Sequence, residues 1–149
     1  MPAKRTVFGD AAVIICERGN LWRLALRRAM DSTGIPIRHC RSRQECIERV
    51  AAAPASLVIL ELDPAEPGEG LRCLMQLERR FSACQSIAFA CGSSQDLEAA
   101  ARQAGAVHFV RSVAEAPAVA YAVERHFAQL LERASSPAER IWASLPWTN

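Results

Sequence analysis

The residues best placed to do chemistry are two carboxylates, Glu61 and Asp63, which end the run Ser-Leu-Val-Ile-Leu-Glu-Leu-Asp over 56–63. Four consecutive apolar residues, two of them β-branched, are too few for a helix and read as a strand buried on both faces, the mark of a parallel sheet. Open α/β sheets present ligands beyond the carboxyl ends of such strands, so both acids stand where a site would be. Glu17 follows a second apolar run, over 11–16, and can reach the same sheet edge. Three like charges there are expected to raise at least one carboxylate pKa, so neutralising Glu61 should stabilise the fold.

Other chemistry is poorly supported. His39, His108 and His126 have no partner at ligand or triad spacing and read as surface or half-buried histidines. There is no dinucleotide fingerprint, P-loop or nucleophile elbow, and Gly68-Glu-Gly70 is too acidic to cradle phosphate. The six cysteines, Cys16, Cys40, Cys46, Cys73, Cys84 and Cys91, form no C-x-x-C pair and sit mostly in apolar runs. They read as reduced core thiols of a cytoplasmic protein, not as a zinc site or disulfide framework. No catalytic residue, metal or cofactor is expected.

Positioning these groups requires one domain, and 149 residues suffice for it. Half the residues are apolar and 23% charged, as in an ordinary globular protein. A net charge of +2 does not argue for nucleic acid, and the arginines at 18, 23, 27, 28, 38, 41 and 43 read as a solvated face. The run over 11–16 is too short for a signal-peptide core or a membrane span.

In chain order, residues 1–10 read as an arm and 11–16 as the first strand. Asn20 is the expected N-cap of a helix whose inner stripe is Leu21, Leu24, Ala25 and Ala29, ending before Gly34. Residues 35–40 make a short strand in which Pro36 requires an edge position or a place among the strand's own first residues. Ser42 opens a helix with Cys46, Ile47, Val50 and Ala51 inward. After the central strand and the loop 64–70 comes a helix on Leu71, Leu74, Met75 and Leu77, then a strand over 86–91. Ser94 caps a helix carrying Leu97, Ala100, Ala101 and Ala104, Gly105 ends it, and 106–110 is the fifth strand. Val119, Val123, Phe127 and Leu130 mark a last helix over 117–133. Strand and helix alternating five times predict a five-stranded parallel sheet with helices on both faces.

Three stretches carry a family resemblance: Val-Ile-Ile-Cys-Glu over 13–17, Leu-Val-Ile-Leu-Glu-Leu-Asp-Pro over 57–64, and Glu-Ala-Ala-Ala-Arg-Gln-Ala-Gly-Ala over 98–106 leading into Val-His-Phe-Val. By their order and spacing the chain resembles a response-regulator receiver domain, of flavodoxin-like fold, over about residues 10–133. The resemblance implies a phosphotransfer site of five groups. Carried over, its Mg²⁺-binding acidic pair becomes Cys16 and Glu17, its phosphoacceptor Asp becomes Glu61, its hydroxyl becomes Ala90 and its lysine becomes Ser112, with Arg111 one place early. Only Glu17 keeps its group.

A neutral thiol at Cys16 is a poor ligand for Mg²⁺, which wants hard oxygens. The extra methylene of Glu61 shifts its carboxylate by about 1 Å where positioning is the catalysis. Without the lysine, Glu17, Glu61 and Asp63 are left with little positive charge against them, so an added phosphate is expected to be repelled. Asp63 is the alternative acceptor two residues on, at a position the family uses for a backbone carbonyl to the metal. Phe109 matches the family's switch aromatic, but Ala90 has no hydroxyl to drive it.

The expected organisation is an arm over 1–10, a degenerate receiver over 11–133 and a tail over 134–149. Ser136-Pro-Ala-Glu139 opens a short helix in that tail, which carries Ile141, Trp142 and Leu145 and stops at Pro146 before Trp147. Trp142, Leu145 and Trp147 are either a lid over the domain's own core or an anchor for a partner. The function expected is a phosphorylation-independent pseudo-receiver, an adaptor for a protein partner with no catalysis, no nucleic acid and no membrane. Its contact face would be the fourth helix, fifth strand and fifth helix, with a homodimer through that face as one form. The alternatives are a phosphorylatable receiver using Glu61 or Asp63, and a small-molecule sensor binding at the strand ends.

Overall fold

Each of the five apolar runs forms a strand, and each amphipathic stretch between them forms a helix. The computed structural model describes residues 8–92 and 95–134. The order is β1 (Val13–Cys16), α1 (Leu21–Ala29), β2 (Ile37–Cys40), α2 (Arg43–Ala52), β3 (Leu57–Glu61), α3 (Gly68–Arg80), β4 (Gln85–Phe89), α4 (Gln95–Gln103), β5 (Ala106–Val110) and α5 (Ala116–Ala134), with one 3-10 turn at Val113–Glu115. The strands pair in the order β2-β1-β3-β4-β5, all parallel. Pro36 precedes an edge strand, where a missing N–H costs least.

Alternation along the strands builds two cores. Val13, Ile15, Leu57, Ile59 and Ile87 face α1 and α5, where Trp22, Leu26, Val119, Val123 and Phe127 meet them. Ile14, Cys16, Val58, Leu60 and Ala88 face the other way, onto Cys46 and Val50 of α2, Cys73, Leu74 and Leu77 of α3, and Leu97 and Ala101 of α4. Gly105 ends α4 at φ +117, a backbone conformation that L side chains rarely adopt. Among the described residues no helix is long and apolar enough to cross a membrane.

Three local expectations are corrected. Residues Leu21 and Leu24 are 52% and 58% exposed, and the buried stripe of α1 is Trp22, Leu26 and Met30. Both sets share helical spacing, and the core takes the set with the larger side chains. Asn20 makes no side-chain cap; the amides at the start of α1 go instead to Glu17. Cys91 and Met75 are exposed rather than inward. By contrast, Ser42 caps α2 through Glu45 N at 3.1 Å. Within the expected arm, Phe8 meets the ring of Phe127 edge-on at 5.0 Å. The expected Ser94 cap, the first seven residues and the tail helix with Trp142, Leu145 and Trp147 lie outside the described residues.

One buried polar group makes stability depend on pH. His126 is buried on α5, with Nε2 2.7 Å from the carbonyl of Ala55. Burial lowers its pKa from the ordinary 6.5; the Ala55 bond opposes this and Arg133 adds to it. The unfolded chain therefore binds more protons than the folded one just below neutrality. This contribution is fully present above about pH 6.5 and is lost as pH falls through the folded pKa. Melting temperature should fall between pH 7 and 5, at a rate of at most about 1.4 kcal/mol per pH unit from this group. In His126→Gln that slope should flatten, and an unchanged slope would assign it to other groups.

Candidate functional site

The carboxyl ends of β1, β2 and β3 surround a cleft of about 230 Å³, lined by Cys16, Glu17, Arg18, Arg41, Ser42, Arg43, Glu61 and Asp63. The 2-1-3 strand order explains the set: the turn after β2 brings Arg41 to Arg43, the turn after β1 brings Glu17 and Arg18, and β3 brings Glu61 and Asp63. Of the expected positions the cleft unites Cys16, Glu17, Glu61 and Asp63. Ala90 and Ser112 are not among its lining residues.

Glu17 is spent on the fold. It is buried, its Oε2 accepts from Trp22 N and its Oε1 from Arg23 N, each at 3.1 Å. A carboxylate at a helix N-terminus satisfies orphan amides and meets the positive end of the helix dipole. His39 Nε2 lies 3.6 Å from the same carboxylate and 2.8 Å from the carbonyl of Gly19, which fixes the turn.

The other two acids share one arginine. Glu61 Oε2 accepts from the backbone N–H of Arg18 at 3.0 Å. The Arg18 guanidinium reaches Asp63 Oδ2 at 3.3 Å, while Asp63 Oδ1 accepts from Ala65 N at 2.9 Å. These contacts overturn the expected charge imbalance. The Ala65 amide first, then the charge of Arg18, hold the Asp63 carboxyl below its ordinary range, opposite to the rise expected from like-charge crowding. With Glu61 bonded to a backbone amide, its neutralisation removes a charge-assisted bond, so the expected gain in stability has no source here. Sequence spacing gave no sign of Arg18 as partner, since the pairing spans the β1 and β3 turns.

Around β5 the switch positions are also occupied. Ser112 Oγ accepts from Ala114 N at 3.1 Å, and Glu115 Oε2 accepts from both Arg111 N and Ser112 N, a complete capping box. Arg111 turns to Glu98 on α4 at 2.9 Å and lies over the Phe109 ring at 5.9 Å. Phe109 is buried in the core against α4.

The donor set does not fit Mg²⁺. Cys16 offers soft sulfur, Glu17 has both oxygens on helix amides, and Arg18 puts a cation's charge beside Asp63. Among the described residues no group of three histidine, cysteine or acidic side chains is arranged to hold a metal.

Solved structures share this fold. A response regulator from Thermotoga maritima superposes with a TM-score of 0.69 at 17% identity, over 79% of this chain and 98% of that one. The fold is that of a response-regulator receiver. The CheY-like protein TadZ from Pseudomonas aeruginosa gives a TM-score of 0.66 at 17% identity over 78% and 98%. A beryllofluoride-activated receiver dimer, NtrC4, gives 0.64 at 14% over 80% and 98%. No protein-family model matches the chain, and no curated protein matches it in sequence.

Proposed function

We propose that this receiver fold acts in signalling as a phosphorylation-independent adaptor that binds a protein partner and catalyses nothing itself. The observation that supports this most is the engagement of the acids. Glu17 holds the start of α1, Glu61 holds the Arg18 amide and Asp63 is paired with the Arg18 guanidinium. Phosphoryl transfer needs a free, positioned acceptor and a metal to offset charge. Here the acceptor is bonded and the metal has no ligand set.

The contact face of the adaptor is α4, β5 and α5, which exposes Val107, His108 and Tyr121. A homodimer through this face is one form such an adaptor takes. A small-molecule sensor would offer a dry apolar pocket at the strand ends, whereas the cleft at Cys16 is lined mostly by charged groups.

Incubation with acetyl phosphate, or beryllofluoride, and Mg²⁺ should leave the mass and the amide spectrum of the protein unchanged. A stoichiometric mass gain with acetyl phosphate, lost in Glu61→Gln or Asp63→Asn, would replace the adaptor reading with that of a phosphorylatable receiver.

A further inference from the structure

Beneath the cleft the fold collects four of the six cysteines. Cys16 ends β1, Cys40 ends β2, Cys46 sits in the first turns of α2 and Cys73 in α3, and all four are buried in one core layer as free thiols. All four belong to one packed cluster together with Val50, Leu60 and Leu74. The cluster is not a metal site by the arrangement of its side chains. It differs from ordinary core sulfur in one respect: Cys16 also lines the cleft, beside Arg18, Arg41 and Arg43.

Cys16 and Cys40 are register partners on adjacent parallel strands. Neighbouring strands lie about 4.8 Å apart, inside the roughly 4.4–6.8 Å that a disulfide spans between Cα atoms. Both side chains lie on the same face of the sheet, since both belong to the same core layer.

We propose that Cys16 is a peroxide-reactive thiol and Cys40 its resolving partner, closing a reversible disulfide across β1 and β2 at the floor of the cleft. The electrostatics agree with these roles. The neighbouring Cys40 and Cys46 thiols, then the Arg43 guanidinium, hold the Cys16 thiol below its ordinary range despite burial. The Cys16 thiol in turn pushes the Cys40 thiol above its ordinary range. The thiolate is the nucleophile, so Cys16 reacts first.

In the first step the Cys16 thiolate attacks one oxygen of hydrogen peroxide: an S–O bond forms, the O–O bond breaks, and hydroxide leaves and takes up a proton as water. In the second, the Cys40 sulfur attacks the sulfenic sulfur: the S–S bond forms, the S–O bond breaks, and the hydroxyl leaves as water with the Cys40 proton. Two thiols are oxidised and one peroxide is reduced to two waters. The bond would fasten the Glu17–Arg18 turn to the Arg41–Arg43 turn, the two rims of the cleft.

The full reduced chain, titrated with hydrogen peroxide, alkylated and mapped by peptide mass, should yield a Cys16–Cys40 linked peptide with loss of two hydrogens, reversed by dithiothreitol. Cys91→Ser, which removes the exposed thiol, should behave alike. In Cys40→Ser, dimedone should trap Cys16 as sulfenic acid; if that variant does not fold, the map of the unsubstituted chain decides. A map in which Cys16 stays a thiol while Cys91 oxidises, or in which Cys16 joins any other cysteine, overturns the proposal.

Discussion

Trp22→Ala should cost about 3–5 kcal/mol, the loss typical of emptying a buried aromatic site. The indole is fully buried, meets Phe89 edge-on at 5.2 Å and fills the layer between α1, the sheet and α5. Against a total stability of about 5–15 kcal/mol such a loss leaves a marginal fold, with a melting temperature lower by roughly 10–15 °C. Trp22→Phe should lose much less. The indole Nε1 is buried with no hydrogen-bond partner, and an unpaired buried donor costs about 1–3 kcal/mol, which phenylalanine recovers while leaving a smaller cavity. Urea denaturation followed by far-ultraviolet circular dichroism measures both. A cost below about 1 kcal/mol for the alanine variant would mean that α1 does not close this core.

The same helix shows where sequence reasoning reaches and where it stops. Strands were legible because doubly buried runs such as Leu57–Leu60 contain nothing but apolar residues, and Gly105 and Ser42 punctuate their helices by local chemistry. The inner face of α1 was not legible, since Leu21, Leu24, Ala25 and Ala29 repeat with the same period as Trp22, Leu26 and Met30, and period alone does not fix phase. In the site, the chain positions of Glu17, Glu61 and Asp63 followed from strand ends. Their partners did not: the Arg18 contacts cross from β1 to β3, and the cysteine cluster draws on two strands and two helices. Spacing along the chain is blind to pairs that only the sheet order 2-1-3 creates.

Glu17 is where fold and function meet, and its replacement separates the two readings of the site. Glu17→Ala should destabilise the protein by about 2–4 kcal/mol. It removes two charge-assisted bonds, each worth about 1.5–3 kcal/mol before relaxation, and strands the amides of Trp22 and Arg23, the first of them on a fully buried residue. Glu17→Gln keeps one carbonyl acceptor but presents an NH₂ group to the other amide, so it should recover roughly half the loss. A carboxylate kept for a metal behaves in the opposite way. It is crowded by like charge when the metal is absent, its removal stabilises the fold, and millimolar Mg²⁺ raises the melting temperature of the unsubstituted chain by mass action. Thermal melts of the two variants and of the unsubstituted chain, with and without Mg²⁺, therefore distinguish a helix cap from a ligand. The contacts of Glu17 require loss in both variants and no Mg²⁺ shift; stabilisation in Glu17→Ala together with a Mg²⁺-dependent rise would return this acid to the metal and the cleft to phosphotransfer.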